Sequence, residues 1–310
     1  MPATITSHIL MVRPANFQYN PQTAQNNAFQ SAEGADDQDR IRKAAVEEFD
    51  RMVASLRAAG VQVYVAQDSV RPHTPDAVFP NNWVTFHAEG TVITYPMWAP
   101  VRRLERREGI LEDLQETFWM GEWIHLEDAE TQQAYLEGTG SLILDRVNRL
   151  AYACRSVRTH ESVLDRFCAA MDYQKVLFDA VDGTGQAIYH TNVMMALGTS
   201  FVVICLDSVP TEEERQMLRA QFEKTQKEVV DISLEQMGAF AGNMLQVQSQ
   251  SGDPILVLSK TAYDSLLPEQ IQQLEKHTRL LSPDIPTIEQ YGGGSVRCMM
   301  AEIFLPLRAQ

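Results

Sequence analysis

Cys298, His190 and Glu137 carry the three side-chain types that nucleophilic catalysis on a carbon centre uses. A thiolate can attack the carbon, a histidine can carry the displaced proton, and a carboxylate can orient the histidine or the substrate. Each residue lies in, or shortly after, a polar or glycine-rich lead-in that precedes an apolar run. Taken singly, such residues are more often structural, but their shared position in similar segments predicts a thiol mechanism.

Three glycines, Gly292, Gly293 and Gly294, stand shortly before Cys298 and leave the nearby backbone free of side chains. Such backbone suits a planar substrate that lies against the main chain. Neither this run nor Gly183-Thr184-Gly185 completes the G-x-G-x-x-G pattern between a strand and a helix, which argues against dinucleotide binding. The seven histidines lack His-Glu-x-x-His or similar ligand spacing, so the sequence predicts neither a metal nor a cofactor.

The lead-ins belong to a layout that recurs at intervals of roughly 50 to 60 residues: a lead-in, an apolar strand, a turn and a returning apolar strand. First strands are predicted at 83–87, 141–144, 193–197, 244–247 and 296–305. Return strands are predicted at 91–95, 150–154, 201–206 and 255–258. Helical periodicity follows at 109–120, 160–171, 211–225 and 260–277, with Thr159, Thr211 and Ser259 as candidate N-caps. Further strands are predicted at 61–65, 174–178, 228–232 and 279–281, and strand 8–12 with helix 37–59 completes the last unit.

This unit of hairpin, helix and strand is repeated without a Pro/Ser-rich linker, which predicts one closed, pseudo-symmetric α/β domain over residues 1–310. One alternative is a generic α/β sandwich whose hairpins resemble one another by chance. A doubly wound nucleotide-binding fold fits less well, because its parallel strands alternate with helices and do not pair as hairpins.

In a ring of such units, the lead-ins point toward the pseudo-symmetry axis and line one shared pocket. Their polar side chains are Asn81, Asn82, Glu137, His190, Asn192 and Asn243. Because Cys298 follows the last lead-in, we expect the thiol, the imidazole and the carboxylate to meet in that pocket. Alternation along a strand sends the side chain of Arg297 to the face opposite Cys298.

Charge and composition narrow the classes of partner. The 310-residue chain has 26 Lys and Arg against 41 Asp and Glu, a formal charge of −15, which disfavours nucleic acids and anionic membranes. The one basic cluster comprises Arg102, Arg103, Arg106 and Arg107. Glutamates alternate with these arginines, so the cluster is predicted to be a solvated helix face.

Cysteine usage and apolar runs indicate a compartment. The four cysteines are widely spaced, which excludes a disulfide framework and a zinc ribbon. The N-terminus lacks the basic start and apolar core of a signal peptide. The longest apolar run, 193–206, is interrupted by Gly198-Thr199-Ser200 and is too short to span a bilayer. We therefore expect a reduced, cytoplasmic protein.

Several of these motifs are similar, in the same order, to those of the pentein, or guanidine-modifying, superfamily of arginine deiminases, dimethylarginine hydrolases and amidinotransferases. They are Phe79-Pro80-Asn81-Asn82, Glu137-Gly138-Thr139-Gly140, His190-Thr191-Asn192 and the run from Gly292 to Met299. Segments 11–17 and 26–30 resemble one branch, the citrulline-utilisation hydrolases. The resemblance implies a five-bladed α/β propeller with a central active site and a covalent cysteine mechanism.

The resemblance also implies residue roles. Cys298 is expected to be the nucleophile, His190 the general acid and base, and Glu137 the carboxylate that orients or protonates the substrate. Arg158 resembles the arginine that grips the substrate carboxylate in deiminases, and a surface arginine at a helix start is the open alternative. The other residues expected to bind substrate are Asn82, Asn192, Phe79 and Asn81.

The chain departs from the deiminases at three positions, where Asn82, Gly140 and Asn192 replace aspartates. A buried guanidinium needs compensating negative charge, and Glu137 would be its one obvious partner here. A neutral ureido group needs amide-like donors and acceptors, which asparagines supply. The sequence therefore predicts hydrolysis of citrulline to ornithine, ammonia and carbon dioxide.

Other functions stay open at this point. Arginine deiminase, dimethylarginine hydrolase and amidinotransferase would share the nucleophile and differ in substrate or acceptor. A non-catalytic propeller, like the ribosome anti-association factors that resemble this fold, is the alternative from another class. The expected partner is a small amino-acid substrate, the sequence leaves the oligomeric state open, and 182–185 is a candidate lid or a static turn.

Overall fold

The computed structural model describes residues 4–308, and within that range the chain forms fifteen strands in five three-stranded sheets. The strands are β1 (His8–Arg13), β2 (Gln62–Gln67), β3 (Val84–Phe86), β4 (Val92–Thr94), β5 (Trp123–His125), β6 (Ile143–Asp145), β7 (Leu150–Cys154), β8 (Gln174–Phe178), β9 (Met195–Leu197), β10 (Phe201–Ile204), β11 (Glu228–Asp231), β12 (Leu245–Gln248), β13 (Pro254–Val257), β14 (Arg279–Leu281) and β15 (Ala301–Glu302). The helices are α1 (Gln38–Ala58), α2 (Glu108–Gln115), α3 (Gly138–Ser141), α4 (Glu161–Met171), α5 (Thr191–Met194), α6 (Glu212–Lys224), α7 (Leu234–Gly238), α8 (Lys260–Ser265), α9 (Pro268–Glu275) and α10 (Pro286–Gly292).

All five sheets have the same internal order. In four of them an antiparallel hairpin is followed by a third strand parallel to its second strand: β3-β4-β5, β6-β7-β8, β9-β10-β11 and β12-β13-β14. In the fifth, β1 pairs antiparallel with β15 and parallel with β2, so the two ends of the chain share one sheet. The predicted unit of hairpin, helix and strand is confirmed, and it fits a pseudo-symmetric repeat.

Apolar side chains of the helices pack against the sheets. Helix α1 buries Ile41, Ala45, Phe49 and Met52, spaced three or four residues apart, while its other faces stay largely exposed. Its first turn is capped by Asp37, whose side chain accepts a hydrogen bond from the backbone N–H of Arg40. Thr211 and Ser259 cap α6 and α8 in the same way, as predicted.

Some predicted boundaries are wrong for identifiable reasons. The helix predicted at 260–277 is two helices, because Pro268 begins the second one and its ring cannot continue the first. Helix α4 begins after His160, so Thr159 is not its N-cap. The long strand predicted at 296–305 is a turn through Met299 followed by the short strand β15.

The four cysteines are free and buried. Within residues 4–308 no helix has both the length and the apolar character needed to cross a membrane.

Candidate active site

The lead-ins of three units fold as single helical turns that precede the first strands. Asn81 and Asn82 lie in a 3-10 turn before β3, Glu137 stands at the N-terminus of α3, and His190 stands at the N-terminus of α5. Helix α3 packs against both other turns. Turns of three or four residues have no hydrophobic periodicity, so the sequence predicted polar lead-ins here and began two of the following strands within the turns, at 141 and 193.

These turns border a cavity. Its lining comprises Thr23, Asn27, Asp76, Phe79, Asn82, Arg102, Arg158, Tyr189, His190, Gly292, Gly293, Gly294 and Cys298. The thiol and the imidazole therefore share one cavity, which we call the catalytic cavity. Glu137 is fully buried directly behind His190.

Glu137 is held by three partners. His190 Nε2 lies 2.8 Å from Glu137 Oε2, and Arg158 Nη1 lies 3.4 Å from the same oxygen. The other oxygen, Oε1, accepts a hydrogen bond from the backbone N–H of Trp98 at 2.8 Å. All three partners are hydrogen-bond donors to the carboxylate of Glu137. They therefore hold it in position and favour its charged form.

The protonation states follow from these contacts. Burial opposes charge on Glu137, but the charge of Arg158 and the hydrogen bond from His190 outweigh it, so the pKa of Glu137 lies well below its usual range. Burial lowers the pKa of His190 to about 4, against the opposing effect of Glu137. At neutral pH, His190 is therefore a neutral imidazole that donates Nε2–H to Glu137, and Nδ1 is its unprotonated nitrogen.

Cys298 receives two side-chain donors. Asn192 Nδ2 and Asn243 Nδ2 each lie 3.3 Å from its sulfur. The Asn243 carboxamide is itself fixed, because its oxygen accepts from the backbone N–H of Arg297 at 3.0 Å and its nitrogen donates to the carbonyl of Asn192. Donors aimed at sulfur stabilise negative charge there, which suits a thiolate nucleophile.

Arg158 lies inside the molecule and is 2% exposed, so the open alternative of a surface arginine is wrong. Its guanidinium lies 4.7 Å from the centre of the Tyr189 ring and pairs with Glu137. Both Nε and Nη2 donate to the side-chain oxygen of Asn26. That oxygen occupies the forked position that a carboxylate takes on arginine.

Asn26 belongs to a segment, residues 20–30, that closes over the cavity, and we call it the cover segment. Asn27 Nδ2 donates to the carbonyl of Gly293 at 3.2 Å, and Gln30 Nε2 donates to that of Gly292 at 3.0 Å. Gly293 has φ +62°, and a Cβ there would lie 2.5 to 2.9 Å from the side chains of Gln30 and Asn27. The glycine run thus provides a close-fitting seat for the cover segment.

Two charged residues of the cavity were missed by the sequence prediction. Arg102 is 3% exposed, so the prediction of a solvated helix face is wrong for this residue. It donates to both carboxylate oxygens of Glu105 at 2.9 Å and lies 3.8 Å from Asp76. Burial raises the pKa of Asp76, and the charge of Arg102 opposes that rise. Asp76 and Glu105 are therefore further carboxylates near the cavity, and the expectation that Glu137 would be the one obvious partner of a buried cation is wrong.

Arg102 also determines how Asn82 faces the cavity. Its Nη1 donates to the side-chain oxygen of Asn82 at 2.8 Å, and a guanidinium has only donors, so the carboxamide oxygen must point toward it. The Nδ2 group of Asn82 is consequently left buried with no partner. Gly140 shows that this group lies beside His190. A Cβ added to Gly140 would be 2.4 Å from Asn82 Nδ2 and 2.8 Å from His190 Nδ1, so both atoms lie close to the same point.

The remaining predicted residues take different positions. Phe79 lines the cavity against the glycine run, and Asn192 reaches the Cys298 sulfur. Asn81 is buried but is not among the lining residues, and its carbonyl accepts from Thr139. Arg297 points away from the cavity onto Glu302 as predicted, although residues 296–299 form a turn and not the strand on which that prediction rested. The 182–185 loop is an exposed turn, closed by Asp182, that does not line the cavity.

The geometry is that of an addition–elimination site. A thiol held by amide donors, a neutral imidazole with one free nitrogen and a buried carboxylate can add sulfur to a trigonal carbon and protonate a leaving nitrogen. Within the described residues 4–308, no group of three His, Cys, Asp or Glu is placed to hold a metal ion.

Comparison with known proteins gives one family match. The profile of the family described as "N,N dimethylarginine dimethylhydrolase, eukaryotic" matches residues 13–305. No curated protein sequence matches the chain.

Solved structures share the fold at low sequence identity. The chain is similar to apo ArgZ, an arginine dihydrolase from the ornithine–ammonia cycle in Cyanobacteria, with a TM-score of 0.74 and 16% identity over 97% of this chain and 41% of that one. The N-terminal domain of ArgZ bound to substrate gives 0.71 and 16% over 96% of this chain and 98% of that domain. An adduct of dimethylarginine dimethylaminohydrolase with S-methyl-L-thiocitrulline gives 0.66 and 16% over 96% and 99%. The chain thus spans less than half the length of full ArgZ.

Proposed function

This chain belongs to the dimethylarginine dimethylhydrolase family of the pentein superfamily, and from that premise we propose that it is a cysteine-dependent hydrolase of citrulline. The observation that carries the proposal is the orientation of Asn82, which presents N–H groups beside His190. A ureido carbonyl oxygen accepts such a hydrogen bond. A guanidinium, which has only donors, leaves it unpaired.

The charges of the cavity support a substrate with one cationic group. Citrulline carries one ammonium and one carboxylate, whereas arginine adds a guanidinium. Among the described lining residues, Asp76 Oδ1 is the one buried carboxylate oxygen without a hydrogen-bond partner. Both oxygens of Glu137 are already engaged by donors. A second cation would therefore be desolvated without an available anion.

The amino-acid end of the substrate has a matching site. Arg158 offers Nε and Nη2 in the forked arrangement, now filled by the Asn26 oxygen, and the substrate carboxylate would replace that oxygen. Asp76 Oδ1 would accept from the ammonium. These two groups line the same cavity as Cys298, so binding of the amino-acid end would orient the ureido carbon toward the thiol.

The proposed reaction has two stages. In the first, His190 Nδ1 takes the thiol proton, the Cys298 sulfur bonds to the ureido carbon, and the bond to the ornithine nitrogen breaks as that nitrogen receives the proton. An S-carbamoyl cysteine remains. In the second, His190 removes a proton from water, whose oxygen displaces the sulfur as a thiolate, and the thiolate takes that proton back from His190. The released carbamic acid decomposes to carbon dioxide and ammonia. Asn82 Nδ2 would stabilise the oxyanion that forms in each stage.

The architecture proposed for this site is a single domain of five blades closed around the axis. Strand β15 contacts β3, β6 contacts β9, and β9 contacts β12. The backbone N–H of Gln248, at the end of β12, donates to the carbonyl of Thr6 just before β1, which supports closure between the last and first units. A cytoplasmic location is proposed with it, on the four free thiols.

The deciding experiment is incubation of the purified protein with citrulline, arginine and dimethylarginine in separate reactions, with products identified by mass spectrometry. Ornithine from citrulline, with arginine unchanged, is the expected result. Citrulline from arginine would overturn the argument from Asn82 while leaving the thiol mechanism in place. No product from any of the three, together with a Cys298 thiol inert to chloroacetamidine, would indicate a non-catalytic binding protein.

The family match favours a second candidate, hydrolysis of a methylated arginine. In that case, Asp76 would face a guanidinium and the products would be citrulline and a methylamine. The dimethylarginine reaction in the same experiment separates the two candidates.

A further inference from the structure

A second cavity shares no lining residue with the catalytic cavity. It lies along the first strands of the units, where Leu144 of β6, Leu197 of β9 and Gln246 of β12 contribute to its lining. Arg297 lines this cavity and Cys298 lines the catalytic one, so the two cavities lie on opposite sides of the backbone at these consecutive residues. Thr4 and Ile5, both partly exposed, also line it, which places solvent within reach.

The charges in this second cavity are unbalanced. Arg297 and Arg146 are 5% and 7% exposed. Arg297 pairs with Glu302 at 2.8 Å and also donates to the carbonyl of Met300. Within residues 4–308, Arg146 has no carboxylate at ion-pair distance. It lies 3.9 Å from the centre of the Phe304 ring and 3.3 Å from His87 Nδ1.

His87 does not supply the missing negative charge. Burial, with the nearby charge of Arg146, lowers the pKa of His87 well below its usual value, so the imidazole is neutral. Burial also lowers the pKa of Arg297, Glu302 opposes that effect, and Arg146 adds to it. Arg297 thus has a paired carboxylate, whereas Arg146, whose charge also lowers the pKa of Glu89, has none at ion-pair distance, and a bound anion would supply the missing partner.

Gln246 adds an independent sign of a ligand. It is 2% exposed, and its side-chain oxygen accepts from the backbone N–H of Thr199 at 2.7 Å. That bond leaves Nε2 as the group available to the cavity, where it is buried without a partner. An orphaned buried donor in a polar cavity indicates an acceptor that the protein itself does not provide.

We propose that this second cavity binds a small oxyanion, a carboxylate or inorganic phosphate, through Arg146 and Gln246 Nε2. Arginine offers paired donors to two oxygens of such an anion, and the amide adds a third donor. Glu302 keeps its bond to Arg297 and excludes an anion from that side. The proposal rests on this cavity alone and is independent of the reaction at Cys298.

Isothermal titration with inorganic phosphate and, separately, with acetate tests the proposal at constant ionic strength. Saturable binding of one equivalent is expected, and the tighter of the two anions identifies the ligand class. Arg146→Met, which keeps an unbranched side chain and removes the guanidinium, should weaken binding by about tenfold or more. Gln246→Glu retains the oxygen that accepts from Thr199 and places a carboxylate in the cavity, so it should also prevent binding.

Arg219→Gln is the matched control, because it removes one arginine charge from a side chain that is 55% exposed. This variant should bind as the unmodified protein does. Gln246→Glu should in addition raise the melting temperature of the anion-free protein, since its carboxylate offsets the charge of Arg146. Failure of both anions to bind, or binding by Arg146→Met and Gln246→Glu at unmodified affinity, would overturn the proposal. The second result would place the anion in the catalytic cavity, on Arg102 or Arg158.

Discussion

The two cavities on either side of the Arg297–Cys298 peptide differ in how their buried charges are paired. In the catalytic cavity, Glu137 is paired with Arg158 and hydrogen-bonded to the neutral His190, and Arg102 is paired with Glu105 and Asp76. In the second cavity, Glu302 serves Arg297, and Arg146 has an aromatic face and a neutral imidazole. Each cavity also leaves unpaired polar atoms, which mark what the protein's own groups do not complete.

The comparison shows how ion pairs in the catalytic cavity orient the neutral side chains beside them. A buried, paired guanidinium fixes the direction of a neighbouring neutral group, as Arg102 does for Asn82. The unpaired atoms Asn82 Nδ2 and Asp76 Oδ1 then face a substrate from fixed positions. In the second cavity, the unpaired buried atom among the described lining residues is a donor, Gln246 Nε2, and Arg146 also lines this cavity, so the proposed ligand is an acceptor that carries negative charge.

The largest effect is expected for substitution of Cys298, which should change turnover without changing stability. Cys298→Ser should reduce turnover of the substrate to background, because a serine hydroxyl at neutral pH is a far weaker nucleophile than a thiolate. Its melting temperature should stay close to that of the unmodified protein, since the change conserves volume. Cys168→Ala, a control in α4 that lines neither cavity, should keep its turnover. Turnover by Cys298→Ser would remove the thiol from the mechanism.

Which parts of the site were predictable depends on where the residues lie in the repeat. Glu137 and His190 occupy equivalent lead-ins and Cys298 follows another, so the repeat brings them together before any coordinates are known. Arg102 lies outside the repeat, and its glutamate neighbours gave it the pattern of a solvated surface. Asp76 stands three residues before Phe79 at the start of its lead-in, and this buried carboxylate in an apolar stretch was the available signal.

The contacts of the cover segment could not be predicted from the sequence, for a different reason. Its contacts with Gly292, Gly293 and Arg158 join residues that are more than a hundred positions apart. No periodicity within 20–30 specifies them, because they depend on where the complete fold places the segment. The strand lengths were overestimated for a local reason, since apolar residues of a short helical turn and of the following strand form one continuous run.

A substitution at Gly140 tests whether the close packing of the catalytic cavity is required. In Gly140→Asp, which introduces the deiminase residue, Cβ would lie 2.4 Å from Asn82 Nδ2 and 2.8 Å from His190. Displacement of both groups should lower kcat/KM by about a hundredfold, the usual scale for losing general acid–base catalysis. Gly183→Asp is the matched control, because a Cβ there meets nothing within 4 Å. Equal kcat/KM for the two variants would contradict the role of Gly140.

Asn82→Asp tests the argument from amide orientation. Arg102 can still donate to one oxygen, so the other oxygen of the new carboxylate replaces Nδ2 beside His190. Citrulline hydrolysis should fall by about a hundredfold because an oxyanion donor is lost, while arginine should bind more tightly. The ratio of kcat/KM for the two substrates is the measurement. Gln250→Glu, which adds the same charge at an exposed turn, should leave the ratio unchanged, and an unchanged ratio in Asn82→Asp would refute the argument.

The smallest effect is the pH dependence that His190 adds to stability. Its pKa in the folded protein, about 4, lies below the ordinary 6.5, so its neutral form is favoured by folding. The full stability is present above pH 6.5. As the pH falls from 6.5 toward 4, the unfolded chain takes up a proton that the folded chain excludes, and the free energy of unfolding drops by about 1.4 kcal/mol per pH unit.

Glu137 changes stability in the same direction, but only below its ordinary pKa of 4.5, because its pKa is lowered in the folded state. Between pH 4.5 and 6.5 the buried histidines lower the stability as the pH falls, whereas Glu105, whose pKa burial raises to about 7, adds stability over the same interval. The contribution of His190 is therefore read from the difference between the variant and the unmodified protein. His87 contributes there with the same sign, since burial also lowers its pKa. Urea unfolding of His190→Gln across this interval should show a shallower decline than the unmodified protein, and His87 accounts for part of what remains. Parallel curves would mean that folding does not lower the pKa of His190, and that Nδ1 is protonated, and so not free to accept the thiol proton, below about pH 6.5.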